Sequence, residues 1–188
     1  EGFFLAALRK PEEDREADTD LFSPKKKKSK GDTAASPVSK ENLAIAKSWL
    51  ASSDEYNLLV NGTAITAFPV YYQNDLALLR QSLRIVQAGT EVAEVKGKDL
   101  IPAHGLAMSR LLKTSVFSTE ALTYEQAIAY LRKEAIVLPP SVPKGYVLVT
   151  YKEIPLGFVK NIGNRANNLY PQEWRIRSGY LPDDIRTL

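Results

Sequence analysis

Cysteine is absent from this 188-residue chain, and histidine and methionine occur once each. Without cysteine there is no disulfide framework, no zinc–thiolate site and no thiol nucleophile, a composition that fits a reducing, cytoplasmic setting. The lone His104 leaves no raw material for a histidine-rich metal site or a two-histidine relay. Long apolar runs are missing as well: nothing approaches the roughly 18 residues that a membrane helix needs. The apolar start, Phe3-Phe4-Leu5-Ala6-Ala7-Leu8, is too short for a span and lacks the basic leader of a signal peptide. The chain begins with Glu1 rather than methionine, as a piece of a longer protein would. Phosphate loops of the G-x-x-x-x-G-K-[ST] type, dinucleotide turns G-x-G-x-x-G and nucleophile elbows G-x-S-x-G are also lacking. The adjacent Asp183-Asp184 pair sits in a polar tail, where surface charge is a better reading than acid–base chemistry. A self-sufficient enzyme is not expected.

What remains is a foldable composition, 44% hydrophobic and 25% charged, in a length that suits one ordinary domain or two small ones. The placement of the net charge of +3 says more than its size. Residues 9–38 hold an acidic block (Glu12-Glu13-Asp14, Glu16, Asp18, Asp20) followed by Lys25-Lys26-Lys27-Lys28 and Lys30, with Ser, Thr, Pro and Gly between. Such a segment buries too little apolar surface to offset the entropy of ordering it, and reads as a flexible linker. Its lysine run suits a nuclear address, a nucleic-acid arm or, as for most such runs in linkers, plain solvation. After residue 38 the positive excess concentrates in residues 157–177, where Lys160, Arg165, Arg175 and Arg177 face only Glu173. Local excess attracts polyanions, although a solvated strip fits the charge count equally well.

Several elements can be placed from pattern. Residues 1–8 form an apolar run without period, the signature of a buried strand. Ser39 caps a helix over residues 40–50 that buries Leu43, Ala46 and Leu50. Asn61-Gly62, flanked by strands over 56–60 and 63–68, marks a hairpin. Asn74 is placed as the cap of a short helix carrying Leu76, Leu79 and Leu83, followed by strands over 85–88 and 91–95. Pro102 is assigned to the first turn of a helix reaching Leu112. Thr123 and Gln126 form a capping box for a helix over 124–133. Two strands follow, over 145–151 and 156–162, joined by a short connection at 152–155.

The one constellation with chemical content lies in residues 157–177. Basic groups alternate there with Phe158, Tyr170 and Trp174, and with Asn161, Asn164, Asn167 and Asn168. Cations neutralise phosphates, aromatic faces stack on unpaired bases and amides read base edges. The competing account makes the aromatics core residues and the asparagines turn formers.

The sequence Leu156-Gly157-Phe158-Val159-Lys160, followed by Gly163, Asn168, Tyr170-Pro171 and Arg175, resembles the C-terminal signature of bacterial Sun-type ribosomal RNA (cytosine-5) methyltransferases, "PLGW-K…G…KN-YP…R". Three further stretches resemble the same family in the same order. These are Glu1-Gly2-Phe3-Phe4-Leu5-Ala6 with Arg9-Lys10, then Ala88-Gly89 with Ala93-Glu94, Lys98 and Pro102-Ala103-His104, and finally Ala129-Tyr130-Leu131-Arg132. Phe158 replaces the family's Trp, and Ala166-Asn167 stands where a Leu-Lys pair is usual, which removes one expected phosphate contact.

The resemblance implies an α+β fold of mixed short strands with peripheral helices and a small PUA-like β-barrel at the C-terminal end. Residues 1–8 would be the last strand of an absent catalytic domain, 9–38 a linker, 39–118 an intermediate α/β module and 119–188 a PUA-like RNA-binding module. The partners implied are RNA, small-subunit ribosomal RNA in particular, and the chain's own catalytic domain, with no membrane. The implied chemistry of the parent enzyme, a cysteine nucleophile and S-adenosylmethionine, has no place in this chain, which would be an RNA-binding accessory region without catalytic residues, metal or cofactor. The RNA-binding residues expected are Lys160, Asn164, Arg165, Asn168, Tyr170, Arg175 and Arg177. The alternative is a protein-interaction or structural module with an incidental basic surface. Strand alternation puts Trp174 and Ile176 inside and Arg175 and Arg177 outside. Limited proteolysis is expected to cut residues 9–38 well before 39–188, and equal protection of both would show that the linker is ordered.

Overall fold

The computed structural model describes residues 38–178, all within one compact unit that spans Ala35–Leu188. The expected strand at residues 1–8 and nearly all of the linker at 9–38 lie outside the described residues. The architecture is α+β: two four-stranded sheets with short helices against them.

The first sheet is an antiparallel meander of β1 (Tyr56–Asn61), β2 (Ala64–Pro69), β3 (Thr90–Lys96) and β4 (Asp99–Pro102). It follows α1 (Lys40–Ser48), whose N-terminus is capped by the Ser39 hydroxyl accepting from the Asn42 N–H at 3.1 Å. Gly62 turns the first hairpin at φ +60, as its sequence demanded. The helix α2 (Gln73–Ser82) begins one residue before Asn74, with Tyr72 at the cap position, and buries only Leu76 of its expected face. The strand expected over 85–88 is absent. Gly89, at φ +81, passes so close to β2 that a Cβ would lie 2.2 Å from the Ala67 carbonyl oxygen. The helix expected from Pro102 is likewise replaced: Pro102 closes β4, and only one helical turn follows, α3 (His104–Ala107). Proline is tolerated there because β4 is an edge strand, so the missing N–H breaks no ladder.

The second sheet has the order β5-β6-β7-β8, from β5 (Ser118–Ala121), β6 (Gly145–Tyr151), β7 (Ile154–Asn161) and β8 (Ala166–Asn168). β5 runs parallel to β6 and is joined to it through α4 (Tyr124–Leu131), while the other pairs are antiparallel. Both halves of the expected capping box are present on α4. The β6–β7 connection is tighter than expected: Lys152 and Glu153, at φ +48 and +66, are the two central residues of a two-residue turn. The strand pairing described is open rather than a closed barrel. Beyond β8, Ala166 makes a single bridge to Ile136.

Alternation along β6 and β7 divides the interior in two. Val147, Val149 and Val159 point to a core with Ala127 and Tyr130 of α4, whereas Leu148 and Phe158 join the core of the first sheet with Trp49, Ile65, Val92 and Leu106. A chain of rings, Trp49 to Phe117 at 5.2 Å and Phe117 to Phe158 at 4.8 Å, crosses from α1 to β7. Phe158 is only 1% exposed. Its replacement by alanine is expected to cost about 3–5 kcal/mol, measurable by urea unfolding followed through both cores.

Candidate nucleic-acid interface

The strand that carries the basic motif serves the fold first. Gly157, at φ +143, lies under two side chains: a Cβ there would meet the Tyr130 hydroxyl at 2.1 Å and His104 Nδ1 at 2.8 Å. Tyr130 donates its hydroxyl proton to the Phe158 carbonyl at 3.2 Å, and burial raises its pKa. Lys160 sits opposite Tyr146 in the ladder, and its ammonium contacts Asp99 of β4 at 2.5 Å and lies 5.5 Å from the Tyr146 ring centroid. The hydrogen bond to Asp99 holds the lysine's pKa above its ordinary value. Three motif residues, Gly157, Phe158 and Lys160, therefore bind β7 to the first sheet and α3.

The asparagines divide in the same way. Asn161 donates to the carbonyls of Val142 (3.0 Å) and Pro143 (3.1 Å) and accepts from the Gly163 N–H (2.9 Å), which shapes the turn before β8. Asn164 and Arg165 stand exposed on that turn. Asn168 donates to the carbonyls of Tyr130 (2.8 Å) and Glu134 (2.9 Å) and accepts from the Tyr170 N–H (2.9 Å). Its amide is thus engaged with backbone on both sides rather than presented to a ligand.

These bonds end α4. Lys133 takes the left-handed conformation (φ +67) that glycine usually supplies after a helix, and the N–H groups of Lys133 and Glu134 return to the carbonyls of Tyr130 and Ala129, both at 2.9 Å. The Lys133 ammonium hydrogen-bonds the Tyr170 carbonyl, and partial burial lowers its pKa. The Tyr170 ring is half-buried, edge-on to His104 at 5.1 Å and to Tyr130 at 5.4 Å. Its hydroxyl donates to the Trp174 carbonyl at 3.4 Å.

The expectation that Trp174 and Ile176 are buried is overturned: they are 59% and 38% exposed. Alternation presupposes a strand, but Gln172–Trp174 is a 3-10 turn opened by Pro171. The chain after it is pinned to the end of α4, with the Ile176 N–H donating to the Leu131 carbonyl and Arg132 Nη2 to the Ser178 carbonyl, both at 2.9 Å. Arg175 and Arg177 are exposed, as expected. Of the seven expected contact residues, Asn164, Arg165, Arg175 and Arg177 present open side chains, whereas Lys160, Asn168 and Tyr170 are engaged within the fold. None of the three arginines is in an ion pair among the described residues.

Sequence reasoning missed a groove of about 600 Å³ beside this surface. Its lining includes His104, Gly105 and Glu91 together with Lys133, Pro171 and Trp174. His104 is half-buried, 5.3 Å from the Trp174 ring, and its Nδ1 has no hydrogen-bond partner among the described residues. The Pro102-Ala103-His104 run, one of the stretches that resemble the family, was the available signal.

Residues 117–176 match the family described as the methyltransferase RsmF PUA domain. Over these residues the chain is similar to a PUA domain of this kind. The chain is also similar to proteins named ribosomal RNA small subunit methyltransferase F, at 27% identity in Shigella boydii serotype 4, 28% in an Enterobacter species and 27% in Escherichia coli O9:H4. Each similarity covers 96% of this chain but 36% of the relative, so the chain spans about a third of the length of these proteins. Among the described residues no helix is long and apolar enough to cross a membrane, and no cluster of three metal-ligating side chains occurs.

Two outcomes test this geometry. Gly157→Ala is expected to unfold the contact of β7 with His104 and Tyr130, seen as a lower urea midpoint and lost near-ultraviolet dichroism. Burial, and then the Lys133 charge, hold the His104 pKa below its ordinary value of about 6.5. The unfolded chain therefore binds the proton more readily, so this contribution to stability is complete above about pH 6.5 and declines as pH falls below it. Comparing unfolding at pH 7.5 and 5.5 should show a loss that is smaller in His104→Asn.

Proposed function

We propose that this chain binds ribosomal RNA of the small subunit and holds it for the catalytic domain of a cytosine-5 methyltransferase that uses S-adenosylmethionine. The observation that carries this reading is the PUA domain match over residues 117–176, in a region where Asn164, Arg165, Arg175 and Arg177 are exposed. The ribosomal RNA and the methyl transfer in this reading come from the names of the relatives. In this account residues 39–118 are an intermediate module and 119–188 the RNA-binding module, working together in the cytoplasm. The chain is an accessory region and not itself a catalyst. With no cysteine in 188 residues, it offers no nucleophile for a covalent adduct on cytosine.

Guanidinium groups on an open surface displace counterions from the RNA backbone, so affinity should fall steeply with salt. Single replacements Arg165→Ala, Arg175→Ala and Arg177→Ala are expected to weaken binding to a small-subunit RNA fragment and to lower the salt slope by about one unit each. Filter binding across a salt series measures both quantities. Lys160→Ala should act differently, weakening the contact with Asp99 in place of an RNA contact.

A second reading, a protein-interaction module, draws on exposed apolar side chains around α2: Tyr71 is 85% exposed, and Leu78 and Leu83 also stand out from the surface. Unchanged RNA affinity and salt slope in all three arginine variants would favour it.

A further inference from the structure

We propose that the groove beside α3 is a site for one unpaired nucleobase carrying an exocyclic amine, stacked on Trp174 with the amine turned toward the Glu91 carboxylate. This rests on the RNA-binding reading and narrows it to a place and a class of base.

The first support is the state of Trp174. A large aromatic ring is left open to solvent, yet the residue is held: its backbone N–H donates to the Pro171 carbonyl at 3.3 Å, its backbone carbonyl accepts from the Tyr170 hydroxyl, and its ring stands edge-on to His104. A ring held in place before binding loses little entropy when a base stacks on it. Stacking on an aromatic face is the sequence-tolerant way in which proteins hold unpaired nucleotides.

Charge then decides which part of the nucleotide enters. The groove is lined by Lys96 and Lys133 but also by Glu91, Glu94 and Glu173. A carboxylate excess repels phosphate, and Lys133 already bonds the Tyr170 carbonyl. The phosphodiester is thereby kept outside, where Arg175 and Arg177 follow Trp174 directly in the chain. Carboxylates accept hydrogen bonds, and the amine of cytosine is a standard partner for them. Adenine and guanine also offer amines, whereas uracil presents carbonyls on both sides of its single N–H. Glu91 is half-buried, and burial, then the neighbouring Glu94 charge, raises its pKa.

The two tryptophans make the test direct, because Trp49 is 6% exposed and Trp174 is 59% exposed. The full chain is titrated with oligo-C, oligo-A and oligo-U ribonucleotides of equal length at several salt concentrations, following both tryptophan fluorescence and anisotropy. Quenching by oligo-C and oligo-A, with weaker binding of oligo-U, is expected. Trp174→Ala should weaken oligo-C binding by about tenfold at every salt concentration and leave the salt slope unchanged, since stacking releases no counterions. Trp174→Phe should restore most of the affinity, and Glu91→Gln should narrow the gap between C and U. Equal binding of C and U overturns the role given to Glu91. Salt-dependent binding that Trp174→Ala leaves intact, without quenching, overturns the groove while the cationic surface stands. Failure of the unaltered chain to bind any RNA overturns both readings.

Discussion

Strand β7 is packed on both faces, and the arrangement of the rest follows from that constraint. Val159 goes to the core under α4, while Phe158 goes to the core of the first sheet. Between them the backbone must pass beneath Tyr130 and His104, which leaves no room for a side chain at Gly157. Lys160 then reaches Asp99 at the edge of the first sheet. A strand shared by two cores cannot shift by one residue without moving every apolar group to the wrong side. The two sheets are consequently held in register with each other by four consecutive residues.

That constraint redistributes the roles within the basic motif. Lys160, the lysine of the family signature, is partnered by a carboxylate and a ring, so little of its field is left for a polyanion. Asn168 closes the end of α4 and orders the Tyr170 backbone. The open cations lie instead on the turn before β8 and on the segment after the 3-10 turn. Pro171 and the hydrogen bond from Ile176 to Leu131 set the direction of that segment. Open cations and side chains that hold the fold thus occupy interleaved positions in a stretch of about twenty residues, and the charge of a side chain is no guide by itself to which of the two it is.

The PUA match covers residues 117–176, yet the groove beside it draws most of its lining from residues 87–105, outside that range. A fragment cut at the boundary of that match would lose His104, Glu91 and the rest of the lining before residue 117. Residues before 117 contribute to the surface as well as supporting it.

The amino-acid sequence determined by itself those features that depend on neighbours a few residues apart. The Ser39 cap, the Asn61-Gly62 hairpin, the capping box at Thr123 and the β6–β7 pair were all legible, because a side chain bonding to the next turn, or a positive φ, is a local event. The PUA character was legible through a motif whose spacing is preserved. Tertiary structure decided what distant contacts control. Pro102 became an edge-strand terminus because β3 pairs with it, and Trp174 stayed outside because a 3-10 turn interrupted the alternation that would have buried it. Asn168 and Lys160 became structural because their partners, Tyr130, Glu134 and Asp99, lie more than thirty residues away in the chain. Charge and polarity can be read from composition, but whether a charged or amide group is open to a ligand depends on partners that only folding brings within hydrogen-bond distance.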